Sequence, residues 1–151
     1  AETIRQKFIP DLVSGLIAHD AVLAGRLFVQ PHVRAPDGRT CRLDDLLKPE
    51  FAIVTAAAEP MAWLSDVSRA AWQHLAGERV VIMTSGESTD ANGILSVVER
   101  EALFANWMRQ HGAAAVIVRP DRYVFGAAGS ADELNMLVGH LLEGLGPKRS
   151  S

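Results

Sequence analysis

The side chains of this sequence that are best suited to catalysis or metal binding are five histidines and a single cysteine, Cys41. No two histidines have HxH, HxxH or HExxH spacing, so the sequence predicts no local metal site. His74 and His111 fall near the ends of predicted helices, where a favourable interaction with the helix C-terminus accounts for them. Because Cys41 has no CxxC partner, dithiol chemistry within the chain is excluded.

Two acidic pairs could in principle supply a general acid. Asp132-Glu133 follows Ser130, and these residues form a capping box, which predicts that a helix begins there. Asp44-Asp45 is typical of the start of a short helical turn, where adjacent carboxylates are usually only solvated. Neither pair therefore predicts catalysis. The sequence also contains no GxGxxG and no GxxxxGK[ST] motif, so it predicts no nucleotide site of either type.

The segment Arg119-Pro120-Asp121-Arg122 separates two apolar runs. Pro120 and Asp121 suit a tight turn at the end of a buried strand. Arg119 and Arg122 flank Asp121, and we expect them to pair with it. Since exposed ion pairs contribute only about 0–1 kcal/mol, we do not expect these charges to act mainly through stability.

Composition and charge argue against two classes of partner. The formal net charge is −3 at pH 7 and the basic residues are scattered, whereas phosphate-binding surfaces need clustered Lys and Arg, so we expect no nucleic-acid partner. No apolar stretch reaches the roughly 20 residues of a membrane-spanning helix, so we expect no membrane partner. The lone cysteine suits a reducing, cytoplasmic setting. With 151 residues, 48% of them hydrophobic, the chain can build a core without disulfides.

Apolar runs bounded by turn residues predict the elements that position these side chains. The predicted strands cover residues 51–55, 79–84, 94–98, 114–118 and 123–127. Predicted helices cover residues 60–77 and 101–111, and a last helix follows Ser130. In the first of these helices we expect an inward face and a left-handed cap at Gly77. The expected inward residues are Leu64, Val67, Ala71 and Leu75.

This order of elements is that of the thioredoxin fold. The first two core strands flank a helix and should be parallel, whereas the strands joined by the Arg119–Arg122 turn must be antiparallel. We therefore predict an α/β fold with a central mixed sheet of about four to five strands flanked by helices. The redox site of that fold is missing, because residues 55–63 contain no cysteine and no proline lies just before the strand at 114–118.

Three segments of the sequence together resemble the C-terminal region of FAD-dependent aromatic-ring hydroxylases of the 3-(3-hydroxyphenyl)propionate hydroxylase and phenol hydroxylase type. They are G-R-L-F-V-Q-P-H-V at residues 25–33, D-G followed by R-L-D-D-L at residues 37–46, and V-I-V-R-P-D-R-Y-V at residues 116–124. One departure is Val29, where the family usually has proline. The residues that carry the resemblance are Arg26, Gln30, Pro31, Asp37, Gly38, Leu43, Asp44, Asp45, Arg119, Pro120, Asp121 and Tyr123.

The resemblance implies a parent monooxygenase that uses FAD and NAD(P)H to hydroxylate a phenolic ring. It implies that residues 25–151 are its C-terminal domain, with a structural role at subunit contacts in a homo-oligomer. Residues 1–24, with an amphipathic helix predicted at 8–17, would then be the connector from the preceding FAD and substrate domains. No flavin-binding motif of the family matches this sequence, so the resemblance assigns no catalytic, cofactor-binding or metal-binding residue here.

Two alternatives remain open at this point. The chain could be a stand-alone, redox-inactive thioredoxin-like module that binds a partner through its first or last helix. It could also be a peroxiredoxin-like or transferase enzyme that uses Cys41, which would require an exposed thiol with a lowered pKa. A small, partly buried structural residue is the simpler interpretation of Cys41.

Overall fold

A computed structural model describes the backbone of residues 25–150 and the side chains of residues 25–144. Over this range the chain forms a mixed sheet of eight strands with helices on both faces. The strands are β1 (His32–Arg34), β2 (Thr40–Arg42), β3 (Ala52–Thr55), β4 (Glu78–Met83), β5 (Thr89–Ala91), β6 (Ile94–Glu99), β7 (Ala115–Val118) and β8 (Val124–Ala128). The α-helices are α1 (Asp66–His74), α2 (Leu103–Gln110) and α3 (Ala131–Ser150), and short 3-10 turns cover Leu43–Asp45 and Glu59–Ala62.

The predicted thioredoxin-like core is confirmed in strands β4, β3, β7 and β8, which are neighbours in that order. β3 pairs with β4 in parallel, while β7 pairs with both β3 and β8 in antiparallel fashion. The predicted count of four to five strands was too low. β6 adds in parallel to β4, and β1, β2 and β5 continue the sheet beyond it. The sequence predicted β6 but not β1, β2 and β5, because these three strands have three residues each and mostly polar sequences without an apolar pattern.

Alternating side chains of the buried strands build two cores, one on each face of the sheet. Along β3, Ala52 and Val54 face the core beneath α2, whereas Ile53 faces the core beneath α1 and α3. Phe104 and Met108 of α2 complete the first core. The second core is completed by residues of the two other helices, namely Trp72, Leu134, Leu137, Val138 and Leu141. Burial of each large apolar side chain contributes about 1.5–3 kcal/mol.

The helix predicted at residues 60–77 is instead two elements. The 3-10 turn Glu59–Ala62 holds Pro60, and α1 starts only after Ser65, whose hydroxyl accepts the backbone N–H of Ser68 at 3.1 Å. The expected inward position of Val67 was wrong, since this side chain is 81% exposed. The later start at Ser65 shifts the buried face of the helix to Ser68 and Trp72.

The expected left-handed cap at Gly77 was also wrong, because the left-handed residue is Ala76, with φ 61°. Gly77 is required for a different reason. A Cβ atom at this position would lie 2.3 Å from Cε2 of Trp72. The indole lies directly against the backbone there, and its Nε1–H donates to the carbonyl of Glu78 at 3.1 Å. Glycine at position 77 therefore allows the buried tryptophan to pack.

The predicted cap of α3 by Ser130 is confirmed, but the reciprocal bond of Glu133 goes to Gly129 rather than to Ser130. The hydroxyl of Ser130 accepts the N–H of Glu133 at 3.3 Å, and the carboxylate of Glu133 accepts the N–H of Gly129 at 2.6 Å. Among the described residues no helix combines the length and the apolarity needed to cross a membrane. The helix predicted at 8–17, and with it the connector at residues 1–24, lies outside the described residues.

Candidate functional site

The three segments that carry the family resemblance meet at one end of β8. The N–H of Gly25 donates to the carbonyl of Val124 at 2.9 Å, and the N–H of Val124 donates to the carbonyl of Arg26 at 2.8 Å. Two residues before Val124, the carbonyl of Arg122 accepts the N–H of Phe28 at 2.8 Å. Residues 25–28 therefore run along the start of β8. We call the meeting point, formed by residues 25–31, 43–48 and 119–123, the motif cluster.

Gln30 and Pro31 connect the first segment to the second. The carbonyl of Pro31 accepts the N–H of Leu43 at 3.0 Å, and the side-chain oxygen of Gln30 accepts the N–H of Asp44 at 3.0 Å. These are backbone N–H groups at the start of the 3-10 turn Leu43–Asp45, where intrahelical partners are lacking. Leu43 itself is fully buried in the core beneath α2. The Gln-Pro pair thus caps the turn that holds Asp44 in place.

Arg122 connects the third segment to the second. Its Nε–H donates to the carboxylate of Asp44, and its Nη2 donates to the carbonyls of Lys48 at 3.0 Å and Leu47 at 3.3 Å. The side chain is only 15% exposed. The expected pairing of Arg122 with Asp121 was wrong. Arg122 has a positive φ of 70°, which turns its side chain away from its neighbour and towards residues 44–48.

Arg119 makes the pairing that was expected with Asp121, with Nη2 and Oδ2 2.5 Å apart. Its guanidinium also lies 5.9 Å from the ring centroid of Tyr123, within range of a cation–π contact. Pro120 lies in the tight turn, closed by a hydrogen bond from the N–H of Arg122 to the carbonyl of Arg119 at 2.8 Å. The Arg119 side chain is only 12% exposed, so both arginines are more buried than expected, while their partners Asp121 and Asp44 are 38% and 41% exposed.

Each of these two guanidinium groups also has a buried Nη1 atom without a hydrogen-bond partner among the described residues. An unsatisfied buried donor costs about 1–3 kcal/mol. The bonded nitrogens and the burial of the side-chain stems must offset this cost. The charges of Arg119 and Arg122 are thus directed inward to their protein partners, whereas Arg26 and Lys48 of the motif cluster are exposed.

Three of the predicted motif residues do not join this network. Asp37 and Gly38 lie in the turn between β1 and β2, where Gly38 has φ 91°. The carboxylate of Asp37 accepts the N–H of Arg39 at 3.0 Å and its Nε–H at 2.7 Å. These bonds, led by the backbone N–H of Arg39, lower the pKa of Asp37. Asp45 pairs with the exposed Arg42 at 3.7 Å.

The position of a thioredoxin redox site, after β3, carries no reactive group. Thr55 ends β3, and its buried hydroxyl donates to the carbonyl of Ala57 at 2.6 Å. Cys41 lies in β2, and β1, β6 and β4 separate that strand from β3. At about 4.8 Å per strand, the thiol is about 19 Å from the redox position. No group of three potential metal ligands occurs among the described residues.

Sequence reasoning missed two glutamates, Glu99 at the start of α2 and Glu78 beside the motif cluster. The buried carboxylate of Glu99 accepts the N–H groups of Phe104 at 3.0 Å and Ala105 at 3.1 Å, so it caps α2 from the end of β6. Glu78 accepts the N–H of Lys48 at 2.7 Å, and burial raises the pKa of its carboxyl group. An acidic residue shortly before a predicted helix is a signal for Glu99, whereas nothing local indicates Glu78.

Fold and site together define a thioredoxin-like domain in which the redox position is chemically empty and a buried arginine network joins distant segments. The chain belongs to the HcaD C-terminal domain family, whose model matches residues 25–144. The resemblance to the C-terminal region of aromatic-ring hydroxylases is confirmed by this match and by the relatives.

One relative is a 3-(3-hydroxy-phenyl)propionate/3-hydroxycinnamic acid hydroxylase of Burkholderia cenocepacia, 38% identical over 131 residues. Another, of the same name, is from Comamonas testosteroni and is 27% identical over 124 residues. The matches cover 80% of this chain in both cases, but only 24% and 21% of the relatives. The chain therefore spans about a quarter of the length of the hydroxylases it matches.

Solved structures support the fold alone. A thioredoxin-like protein from Bacteroides caccae superposes with a TM-score of 0.57 and 8% identity, over 77% of this chain and 49% of that chain. A putative protein disulfide isomerase from Bacteroides thetaiotaomicron superposes with a TM-score of 0.56 and 14% identity, over 81% of this chain and 89% of that chain. The predicted thioredoxin-like fold is confirmed by these likenesses.

Proposed function

We propose that this chain is the non-catalytic C-terminal domain of an FAD- and NAD(P)H-dependent monooxygenase that hydroxylates a phenolic ring. Its role there is structural: it holds the parent polypeptide together and contributes to a homo-oligomer. The observation that carries the proposal is the pattern of the match, since 80% of this chain corresponds to 24% of a hydroxylase of aromatic propionates. The parent is expected in the cytoplasm.

The chemistry of the described residues supports a structural role. The redox position after β3 offers only the hydroxyl of Thr55, which already donates to Ala57. Arg119 and Arg122 bind Asp121, Asp44 and backbone carbonyls, so the bonded nitrogens of these two side chains serve the fold. A network of this kind fixes the relative position of three chain segments, which is what a scaffold requires.

The cofactors of the proposed parent do not fit this domain. A dinucleotide site of the Rossmann type needs a glycine-rich turn between a strand and a helix N-terminus. The turn after β3 runs through Ala56, Ala57 and Ala58 into a 3-10 turn that contains Glu59 and Pro60. It offers no glycine for close approach of a pyrophosphate, and Glu59 would repel one. This turn therefore does not fit a dinucleotide, which supports our proposal that FAD and NAD(P)H bind the preceding domains.

Removal of the domain from the parent tests its role. A parent polypeptide that ends before Gly25 should lose its oligomeric state or unfold at a lower temperature, while any flavin that remains bound keeps its visible absorption spectrum. Analytical ultracentrifugation and thermal unfolding of both forms measure this. A truncated parent with unchanged stability and unchanged oligomeric state would contradict the structural role.

The subunit mass and colour of the endogenous protein distinguish this proposal from the alternative of a stand-alone interaction module. An antibody against the domain captures the endogenous protein, and its subunit mass and visible spectrum are then recorded. A yellow polypeptide several times heavier than 16.3 kDa is the expected result. A colourless chain of 16.3 kDa would remove the monooxygenase and leave a free-standing binding module.

A further inference from the structure

The outer side of α2 carries an apolar centre with a polar rim. Leu103 is 48% exposed, and Trp107, one helical turn later, is half-buried. We call this surface the α2 face. Its shallow cavity of about 550 Å³ is lined by Leu103, Asn106, Trp107, Arg109 and Gln110. A second cavity, of about 520 Å³, shares Leu103 and extends to Pro31, His32, Thr40 and residues 99–101. An apolar centre surrounded by polar groups is typical of protein interfaces.

The α2 face is held in place from below. The Trp107 ring packs edge-on against Phe28, with centroids 5.7 Å apart, and stacks on Phe104 at 6.1 Å. Glu99 fixes the start of the helix through the N–H groups of Phe104 and Ala105. Because these side chains are already ordered, a partner that binds the face does not have to order them.

The face lies close to the point where the preceding chain arrives. Gly25 is fixed to β8 through Val124, and Phe28, three residues later, contacts Trp107. Three residues span at most about 10 Å. Gly25, where the described part of the chain begins, therefore lies within about 10 Å of a residue that contacts the α2 face. In the relatives the matched segment is about a quarter of the protein, so a large body of chain is available to cover it.

We propose that the α2 face is the docking surface for the preceding domain of the parent monooxygenase. This proposal rests on the proposed function, and it adds the location of the contact. The fitting partner surface presents an aliphatic or aromatic side chain to the groove between Leu103 and Trp107. Around that side chain it presents neutral hydrogen-bonding groups to Asn106 and Gln110.

Thiol protection in the intact parent polypeptide tests the docking surface. Leu103→Cys is compared with Met136→Cys, since Met136 lies on α3 and is equally exposed at 48%. Both variants are treated with N-ethylmaleimide, and the modified peptide is quantified by mass spectrometry. The thiol at position 103 should react at least ~10-fold more slowly than the thiol at 136, because it becomes accessible only when the docked domains separate. In urea the two rates should become equal.

The outcomes distinguish the docking surface from the proposed function. Equal native rates at 103 and 136 in a polypeptide several times heavier than 16.3 kDa would overturn the docking surface and leave the parent enzyme intact. Protection at 103 that disappears when the oligomer is diluted to monomers would assign the face to a second copy, which also overturns the proposal. A native polypeptide of only 16.3 kDa would overturn both proposals together.

Discussion

Substitution of Arg122 by methionine tests how the motif cluster stabilises the fold. The variant keeps an unbranched side chain at φ 70°, so backbone strain is nearly unchanged, but it removes the bonds to Asp44, Leu47 and Lys48. Asp44 is 41% exposed and regains water, so loss of the ion pair should cost only about 1 kcal/mol. Loss of the two carbonyl bonds adds about 1–2 kcal/mol. Because methionine also removes the buried, unpaired Nη1, which offsets part of this loss, we expect Arg122→Met to lower the free energy of unfolding by about 1–2 kcal/mol.

Urea unfolding of Arg122→Met, Asp44→Asn and the double variant measures these contributions as a double-mutant cycle. Asp44→Asn retains an oxygen acceptor and should cost no more than about 1 kcal/mol, with a coupling energy to Arg122 of similar size. Arg122→Lys serves as the control that retains the charge, and it should recover only part of the loss because lysine lacks the planar fork. If Asp44→Asn cost as much as Arg122→Met, the ion pair would dominate, and the assignment to backbone carbonyls would be refuted.

Two further predictions concern Gly77 and Glu78. Gly77→Ala should lower the free energy of unfolding by about 2–4 kcal/mol, since the new Cβ displaces the buried Trp72. The neighbouring Ala76→Gly should be neutral or slightly stabilising. Urea unfolding measures both variants, and a larger loss of stability in Ala76→Gly than in Gly77→Ala would contradict the packing argument. Burial raises the pKa of Glu78 above 4.5 in the folded state. The stabilising contribution of the protonated carboxyl group is therefore complete below that pH and is lost as the pH rises through the folded pKa. Glu78→Gln keeps the acceptor for the N–H of Lys48, so the variant should be more stable than the original chain at neutral pH and equally stable well below pH 4.5. Unfolding at both pH values measures this. Equal stability of the two chains at neutral pH would contradict the prediction.

The parts of the fold that could be predicted are those in which local sequence and burial agree. Strands β3 and β7 are buried on both faces, so each reads as a continuous apolar run. The capping box at Ser130 is equally local. By contrast, β5 consists of three exposed residues, Thr89–Ala91, and exists because β6 offers it an edge. Such a strand carries no signal of its own in the sequence.

In the motif cluster, too, local contacts could be predicted from the sequence and long-range contacts could not. The turn formed by Pro120 and Asp121 could be predicted from residue types, and so could the ion pair between Arg119 and Asp121, two positions apart. The pairing of Arg122 with Asp44 spans 78 positions, and no spacing rule reaches that far. The burial of Arg122 against residues 44–48 joins segments far apart in the sequence, which only the tertiary structure reveals.

That long span bears on the order in which the domain assembles. Asp44 leaves the ribosome well before Arg122, and β3 must likewise wait for β7. Closing such a long loop costs conformational entropy before any contact is gained, which slows folding. The domain can therefore finish folding only after the hairpin of β7 and β8 has been synthesised. In the parent monooxygenase that we propose, the preceding domains then have time to fold before this domain closes.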